Sequence, residues 1–113
     1  MCSQNQAIAI LGEVFLSCNS ILGNKIADAY LYGSYARGEQ HSESDIDILL
    51  TVSLEQDEIS RFRNEIGKIA SELSLKYDVT VSVTVKPLAQ FTRYAAVLPY
   101  YKNILREGIR YAS

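Results

Sequence analysis

A Gly-Ser pair and two aspartates stand at a fixed spacing in the first half of the chain. Gly33 and Ser34 follow an apolar run, and ten residues separate Ser34 from the triplet Asp45-Ile46-Asp47. A Gly-Ser pair at the start of a short helix can direct backbone N–H groups and a hydroxyl towards a phosphate. Two carboxylates on one face of a strand suit Mg²⁺ together with its phosphate and water ligands. The pattern therefore predicts a site for a metal-bound triphosphate.

The same residues also admit a purely structural interpretation. Gly33 would form a turn, Ser34 would cap a helix, and the two aspartates would be exposed residues of a half-buried strand. Each feature is common by itself, but the combination at this spacing arises by chance in roughly one chain of this length in several hundred. We favour the phosphate and metal site, because both signals fall in the right order at strand ends that meet.

Hydropathy patterns predict the elements that carry these residues. Apolar residues three and four positions apart indicate helices, and strict alternation indicates strands. The predicted elements are a helix over 4–22, strands over 26–32 and 45–52, a helix that begins with a capping box at Ser53 and Gln56, a strand over 77–85 ended by Pro87, and short helices over 88–97 and 99–107. This order predicts an α/β (α+β) fold with a small mixed sheet of three or four strands, flanked by helices mainly on one face.

Arg37 is the nearest basic side chain to the Gly-Ser pair. It lies three residues beyond Ser34, and its guanidinium can bind a phosphate or pair with an aspartate in a bidentate way. We predict that Arg37 acts on the phosphate side of the nucleotide site.

Length and composition limit what the chain can do. The 113 residues leave room for one domain over 1–113, and we expect no second substrate domain. The net charge of −2 argues against strong binding to nucleic acid, which needs a basic face. Cys2 and Cys18 lack metal-ligand spacing, and we expect Cys18 to be a core residue and Cys2 an unremarkable terminal one. The apolar stretch over 7–16 is interrupted by Gly12 and Glu13, so we expect no membrane span and a cytoplasmic location.

The Gly-Ser and Asp-x-Asp motif resembles the signature of the DNA polymerase β-like nucleotidyltransferase superfamily. The flanking segments, Tyr-Ala-Arg-Gly over 35–38 and Ser-Asp-Ile-Asp-Ile-Leu over 44–49, are similar to its minimal nucleotidyltransferase (MNT) branch. That branch contains the MntA-type antitoxins of HEPN/MNT toxin–antitoxin pairs. The segment 103–109 is also similar to the tails of such proteins, although less specifically.

The resemblance implies a polymerase β-like fold and a Mg²⁺-dependent nucleotidyltransferase activity of the protein adenylyltransferase type. ATP would be the substrate, and AMP would pass to a tyrosine hydroxyl of a small helical HEPN-type partner, which the chain would neutralise as an antitoxin. Asp45 and Asp47 would position two Mg²⁺ ions, and Gly33 and Ser34 would hold the distal phosphates.

Active members of the family place a third carboxylate on the strand after the long helix, where it helps to hold the catalytic metal. Asp78 is the acidic residue available in the predicted strand over 77–85, and it is our candidate for a third catalytic and metal-binding residue. An alignment anchored on Phe91 would instead place Thr80 or Ser82 at this position. The assignment therefore stays open between these residues.

Two alternative functions and two candidate partner surfaces follow from the sequence. The chain could be a non-catalytic antitoxin subunit that binds nucleotide and blocks its partner sterically. It could also be a small-molecule (antibiotic) nucleotidyltransferase, if a partner or a homo-oligomer completes the pocket. The over-apolar helix 4–22 and the tyrosine-rich tail 94–111 are the predicted partner surfaces, with Tyr100 and Tyr101 as aromatic anchors.

Overall fold

A computed structural model describes residues 2–111 of the chain, and it confirms the predicted mixture of helices and strands. The bounds of the first helix, the first strand and the last helix are those predicted from the sequence. The elements in chain order are α1 (Gln4–Leu22), β1 (Ile26–Tyr32), α2 (Ser34–Arg37), β2 (Ile46–Val52), α3 (Gln56–Ser60), α4 (Arg63–Tyr77), β3 (Val81–Pro87), α5 (Leu88–Ala95), α6 (Pro99–Glu107) and β4 (Ile109–Arg110).

The strands form one mixed sheet in the order β3-β2-β1-β4. β1 and β2 are antiparallel, with Tyr32 opposite Asp47, whereas β2 and β3 are parallel, with Asp47 beside Ser82. β4 pairs antiparallel to the outer edge of β1. This topology brings the end of β1 and the beginnings of β2 and β3 to the same edge of the sheet, which is where the predicted site residues lie.

Helices cover both faces of the sheet, so the prediction that they lie mainly on one face is wrong. Side chains alternate along each strand, and both sets are apolar enough to pack against helices. One face carries the larger core, formed by α1, α4 and the strand residues Ile46, Ile48 and Leu50. The other face carries a smaller cluster in which Tyr30 and Leu49 pack against α5 and α6. Asp47 has the same parity along β2 as Leu49, so its carboxylate shares the smaller face with these two helices.

The first helix, α1, begins with a capping box that the sequence prediction did not include. The Ser3 hydroxyl accepts from the Gln6 backbone N–H, and the Gln6 side chain accepts from the Ser3 N–H, at 3.1 Å each. Its buried face includes Cys18, as predicted, but Cys2 is also buried in the core. By length and composition α1 would also suit a membrane-spanning helix; here one side of it packs against the sheet.

The predicted capping box at Ser53 and Gln56 is wrong. The Ser53 N–H donates to the Lys25 carbonyl at 2.8 Å, which holds Ser53 against the sheet, and residues 53–55 lie before the first helical turn. Glu55 is the N-cap instead, and its N–H donates to the Glu58 side chain at 3.1 Å. A turn at residues 61–62 then divides the predicted helix into α3 and α4.

The predicted start of the third strand is also wrong. α4 continues to Tyr77 and ends at Asp78, which adopts the left-handed conformation with φ of 51°. The Ser74 hydroxyl then accepts from the Val81 N–H at 2.9 Å, so pairing with β2 begins at Val81. The alternation that predicted a strand over 77–85 thus includes the cap of a helix.

Candidate active site

Gly33 places the turn between β1 and α2 directly against Asp47. Its φ of 78° and ψ of −156° lie in a region that favours glycine. A Cβ atom built on Gly33 would lie 2.7 Å from Oδ2 of Asp47, which is closer than real Cβ atoms approach their neighbours. Both constraints require glycine, and the close approach sets the start of α2 beside a carboxylate predicted to hold a metal.

The short helix α2 begins at Ser34, immediately after this turn. The Ala36 and Arg37 N–H groups donate to the Gly33 carbonyl at 3.1 and 3.3 Å. The N–H groups of the first helical positions have no partner within a helix. The half-buried Ser34 therefore combines a hydroxyl with N–H groups that can bind an anion, as the sequence predicts.

Two long-range interactions fix the position of α2. The Gln4 side-chain amide donates from Nε2 to the carbonyls of Tyr35 and Ala36, at 2.9 and 3.3 Å. The Tyr35 ring is almost completely buried in the larger core. Because α2 has only four residues, these contacts must hold it against the sheet, and they make the Gly-Ser turn part of a rigid unit.

The two predicted metal ligands lie at the beginning of β2. Asp45 is exposed just before the strand, and Asp47 is half-buried within it, while Ile46 between them is fully buried on the opposite face. Burial raises the pKa of the Asp47 carboxyl, and the negative charge of Asp45 raises this pKa further. A bound cation would relieve both effects, so the pair suits a divalent metal.

The loop before β2 is folded around Ser44, which the sequence prediction did not single out. The buried Ser44 hydroxyl accepts from the His41 N–H at 2.9 Å, and the Ser44 N–H donates to the His41 carbonyl at 3.0 Å. The His41 ring itself accepts from the Glu43 N–H at Nδ1, at 3.2 Å. These bonds set the direction in which the chain enters the strand at Asp45.

Asp78 does not join Asp45 and Asp47. It is exposed at the end of α4, before β3 begins, and within residues 2–111 no three carboxylate, imidazole or thiol groups form a cluster that could hold a metal. Ser82 is the register partner of Asp47 and shares its face, so it occupies the position where a third carboxylate would lie. The catalytic role of Asp78 stays a prediction that this placement does not support.

Arg37 borders a pocket of about 170 Å³ next to the Gly-Ser turn. Its guanidinium pairs with Glu39 at 2.7 Å and with Glu107 at 3.7 Å, not with the aspartates. The pocket is also lined by Tyr32, Gly33, Tyr100 and Asn103. The predicted phosphate-side role of Arg37 is thus compatible with its position.

Tyr32 and Tyr100 form the aromatic wall of this pocket, and sequence reasoning gave Tyr32 no role. Their hydroxyls are 2.9 Å apart, and their rings meet edge to face. Burial and the hydrogen bond to Tyr100 raise the pKa of Tyr32 well above its usual value, so Tyr32 stays protonated. One sequence signal could have identified Tyr32. It directly precedes Gly33 at the end of the first predicted strand, and it pairs with Asp47 on the neighbouring strand.

Comparisons with known proteins assign the class that this fold and site define. Residues 13–111 match the nucleotidyltransferase domain family, so the chain belongs to that family. Two proteins of Methanocaldococcus jannaschii, each named as a candidate protein adenylyltransferase, are similar in sequence. The first, MJ0141, is 39% identical over 77 residues, which cover 68% of this chain and 76% of that protein. The second, MJ0604, is 32% identical over 84 residues, which cover 74% and 76%.

Solved structures confirm the fold. A mutant of the MntA–HpeT toxin–antitoxin complex contains a chain that matches 98% of this chain and 74% of its own length, with a TM-score of 0.56 and 21% identity. A toxin–antitoxin complex with AMP-PNP matches 89% of this chain and 73% of its own, with a TM-score of 0.57 and 24% identity. The chain is therefore a nucleotidyltransferase domain with the fold of these proteins.

Proposed function

We propose that this chain transfers AMP from ATP to a tyrosine hydroxyl of a small helical HEPN-type partner and neutralises that partner as an antitoxin. The observation that carries the proposal is the contact between the Gly33 turn and Asp47, which joins an anion site to a carboxylate pair. The names of the two M. jannaschii relatives support protein adenylylation. The structurally similar toxin–antitoxin complexes, one with AMP-PNP, support the partner and the nucleotide.

The carboxylate pair fits Mg²⁺, and we propose that Asp45 and Asp47 hold two such ions together with the triphosphate. Mg²⁺ usually takes one or two carboxylates and completes its shell with water and substrate phosphates, so a pair is enough. The half-buried Asp47 already bears the cost of desolvation and of a neighbouring negative charge. When bound, Mg²⁺ would neutralise the charge that builds up on the phosphate oxygens.

The other residues of the site would orient the nucleotide. The Ser34 hydroxyl and the first N–H groups of α2 would bind the distal phosphates, and Arg37 would approach them from the pocket side. The Gln4 amide would keep α2 in place while pyrophosphate leaves. Holding the α-phosphorus in line with an acceptor hydroxyl is the main contribution that a protein makes to this class of reaction.

The partner would bring the acceptor hydroxyl to the face of the sheet that carries Asp47. Exposed apolar side chains lie on the same face at the connection between α5 and α6, where Val97 is 68% exposed and Leu98 is 41% exposed. Tyr100, at 49% exposed, is available as an anchor, whereas Tyr101 is buried in the smaller core and is not. We therefore favour the tail segment over α1 as the partner surface.

Intact-mass measurement tests the proposal. The chain is mixed with a purified HEPN-type protein, ATP and Mg²⁺, and we expect the partner to gain about 329 Da for each AMP transferred. The matched control carries Asp45→Asn with Asp47→Asn, which keeps the size of both side chains and removes their charge. A partner that binds but never gains mass, while ATP is shown to be bound, would exclude the enzyme.

That outcome would favour a second function, a steric antitoxin. One observation favours a steric antitoxin: the described residues contain no three-ligand cluster at the predicted metal site. Such a protein would keep the nucleotide-binding turn and the carboxylate pair without turnover. Neutralisation of the partner by the doubly substituted Asn variant would distinguish this function from adenylylation.

A further inference from the structure

Tyr100 presents a phenol hydroxyl to the nucleotide site from within the chain. The chain has eight tyrosines, all of them among the described residues. Tyr100 is the exposed member of this set, and it lies in the second position of α6. The other seven are buried or half-buried, and Tyr77, for example, is hydrogen-bonded to Glu13. An acceptor within the chain would therefore be found first at Tyr100.

Three contacts place this hydroxyl beside the reacting groups. Tyr100 Oη is 2.9 Å from Tyr32 Oη. Tyr32 is the strand partner of Asp47, and both side chains project to the face that carries α6. Tyr100 also lines the 170 Å³ pocket together with Gly33. A Cβ atom built on Gly33 would lie 2.7 Å from Oδ2 of Asp47. The phenol and the phosphate-binding turn thus border one space, and the Asp47 carboxylate lies directly beside that turn.

The packing of α6 keeps the Tyr100 ring at this place. Tyr101 is buried next to it, where its ring packs edge to face against both Tyr100 and Phe91. Pro99 begins the helix and fixes its first turn. These contacts hold the Tyr100 hydroxyl beside Tyr32, at the border of the pocket.

We propose that Tyr100 is an acceptor for nucleotide transfer within the same chain, so that the protein adenylylates itself. This proposal rests on the proposed nucleotidyltransferase function and adds a modification site to it. Tyr100 Oη would attack the α-phosphorus of ATP, an O–P bond would form, and the bond between that phosphorus and the pyrophosphate oxygen would break. Pyrophosphate would leave, and the phenol proton would pass to water.

The test uses the full chain alone with ATP and Mg²⁺. We expect a gain of about 329 Da in the intact mass and a modified peptide that contains Tyr100. Tyr100→Phe removes the nucleophile and keeps the ring, so the gain should disappear. Tyr94→Phe is the matched control, because Tyr94 is half-buried in the same aromatic cluster, and it should be modified at the wild-type rate. Asp45→Asn with Asp47→Asn should abolish the modification.

The dependence on protein concentration separates transfer within a chain from transfer between chains. A first-order rate that is unchanged over a tenfold dilution supports the proposal, whereas a rate that falls with dilution contradicts it. A mass gain that persists at the wild-type rate in Tyr100→Phe also contradicts it. If the chain adenylylates its partner but never itself, the Tyr100 proposal is wrong and the proposed function stands. If ATP binds and neither protein is modified, both fail.

Discussion

Gly33, in the turn that follows β1, lies so close to Asp47 on the adjacent strand β2 that a Cβ atom on Gly33 would be 2.7 Å from Oδ2 of Asp47. The glycine thus serves two functions, because its positive φ turns the chain into α2 and its missing side chain admits the carboxylate. The anion-binding turn and the predicted metal ligand therefore form one structural unit. A change at Gly33 must disturb both of them.

Gly33→Ala should abolish binding of Mg²⁺-ATP. The methyl group would force Asp47 or the turn to move, and the φ of 78° would add about 1 kcal/mol of backbone strain. Thermal shift with saturating ATP and Mg²⁺ measures the effect, since a bound ligand raises the melting temperature. Gly67→Ala in the middle of α4 is the control, because nothing lies within 4 Å of its Cβ position. An equal ligand shift in both variants would contradict the proposed role of Gly33.

Asp47→Asn should stabilise the free protein at neutral pH while removing its response to Mg²⁺-ATP. The native pKa of Asp47 is raised from 3.8 by burial and by Asp45. A raised carboxyl pKa means that stability is lost as pH rises through the native pKa, so the charged form is the costly one. The higher stability of Asp47→Asn relative to the wild type should disappear as pH falls below 3.8. Urea unfolding across this pH range tests whether the free energy of unfolding rises in the variant. The exposed Asp45→Asn should raise the free energy of unfolding by less.

Local sequence patterns predicted most of the fold because the signals were strong at those positions. The apolar stripe of α1 and the strands around the Gly-Ser pair were identified correctly, and Pro99 marked the start of α6. The error at Ser53 arose from a contact 28 positions away in the chain, its hydrogen bond to Lys25, which no local pattern contains. The error at Asp78 arose because alternation of side chains cannot distinguish a strand from a helix cap followed by a strand.

The candidate site was only partly predictable for a similar reason. One short motif contains Gly33, Ser34, Asp45 and Asp47. Their residue types and spacing indicate phosphate and metal binding without any knowledge of the fold. Gln4, Tyr32 and Tyr100 reach the site through the tertiary fold from α1, β1 and α6. Their contributions depend on the register of the sheet and on which face each helix covers, neither of which is encoded locally.

Ser82→Asp should increase transfer, because it would place a third carboxylate next to Asp47 on the same face. We expect an increase of about a hundredfold in the rate at saturating ATP, the lower end of the range for a positioned general base. Asp78→Asn should leave the rate unchanged, since Asp78 lies at the cap of α4. Loss of transfer in Asp78→Asn with ATP binding intact would instead restore Asp78 as the third carboxylate.

Glu13→Gln should destabilise the contact between α1 and α4. Glu13 accepts from the Tyr77 hydroxyl and from Lys76 at 2.9 Å, and these bonds lower its pKa from 4.5. Such a group stabilises the fold above its unfolded pKa, and this stability is lost as pH falls through the native pKa. Partial exposure limits the loss at pH 7 to about 1 kcal/mol. Urea unfolding should give a lower free energy of unfolding for Glu13→Gln than for the wild type at pH 7, and this difference should narrow below pH 4.5. The exposed Glu72→Gln should show no such difference.

Val97→Asp should weaken binding of the HEPN-type partner at least about tenfold, which corresponds to about 1.4 kcal/mol. Val97 is 68% exposed on the face of the sheet that carries Tyr100 and Asp47, so a charge there would oppose an apolar interface without disturbing the core. Leu75→Asp is the matched control, because Leu75 is 85% exposed but lies on α4, which covers the opposite face. Calorimetry with the purified partner measures both affinities. Weakening by Leu75→Asp alone would move the interface to the α1 and α4 side of the sheet. Equal weakening by the two substitutions would contradict an interface confined to the face that carries Val97.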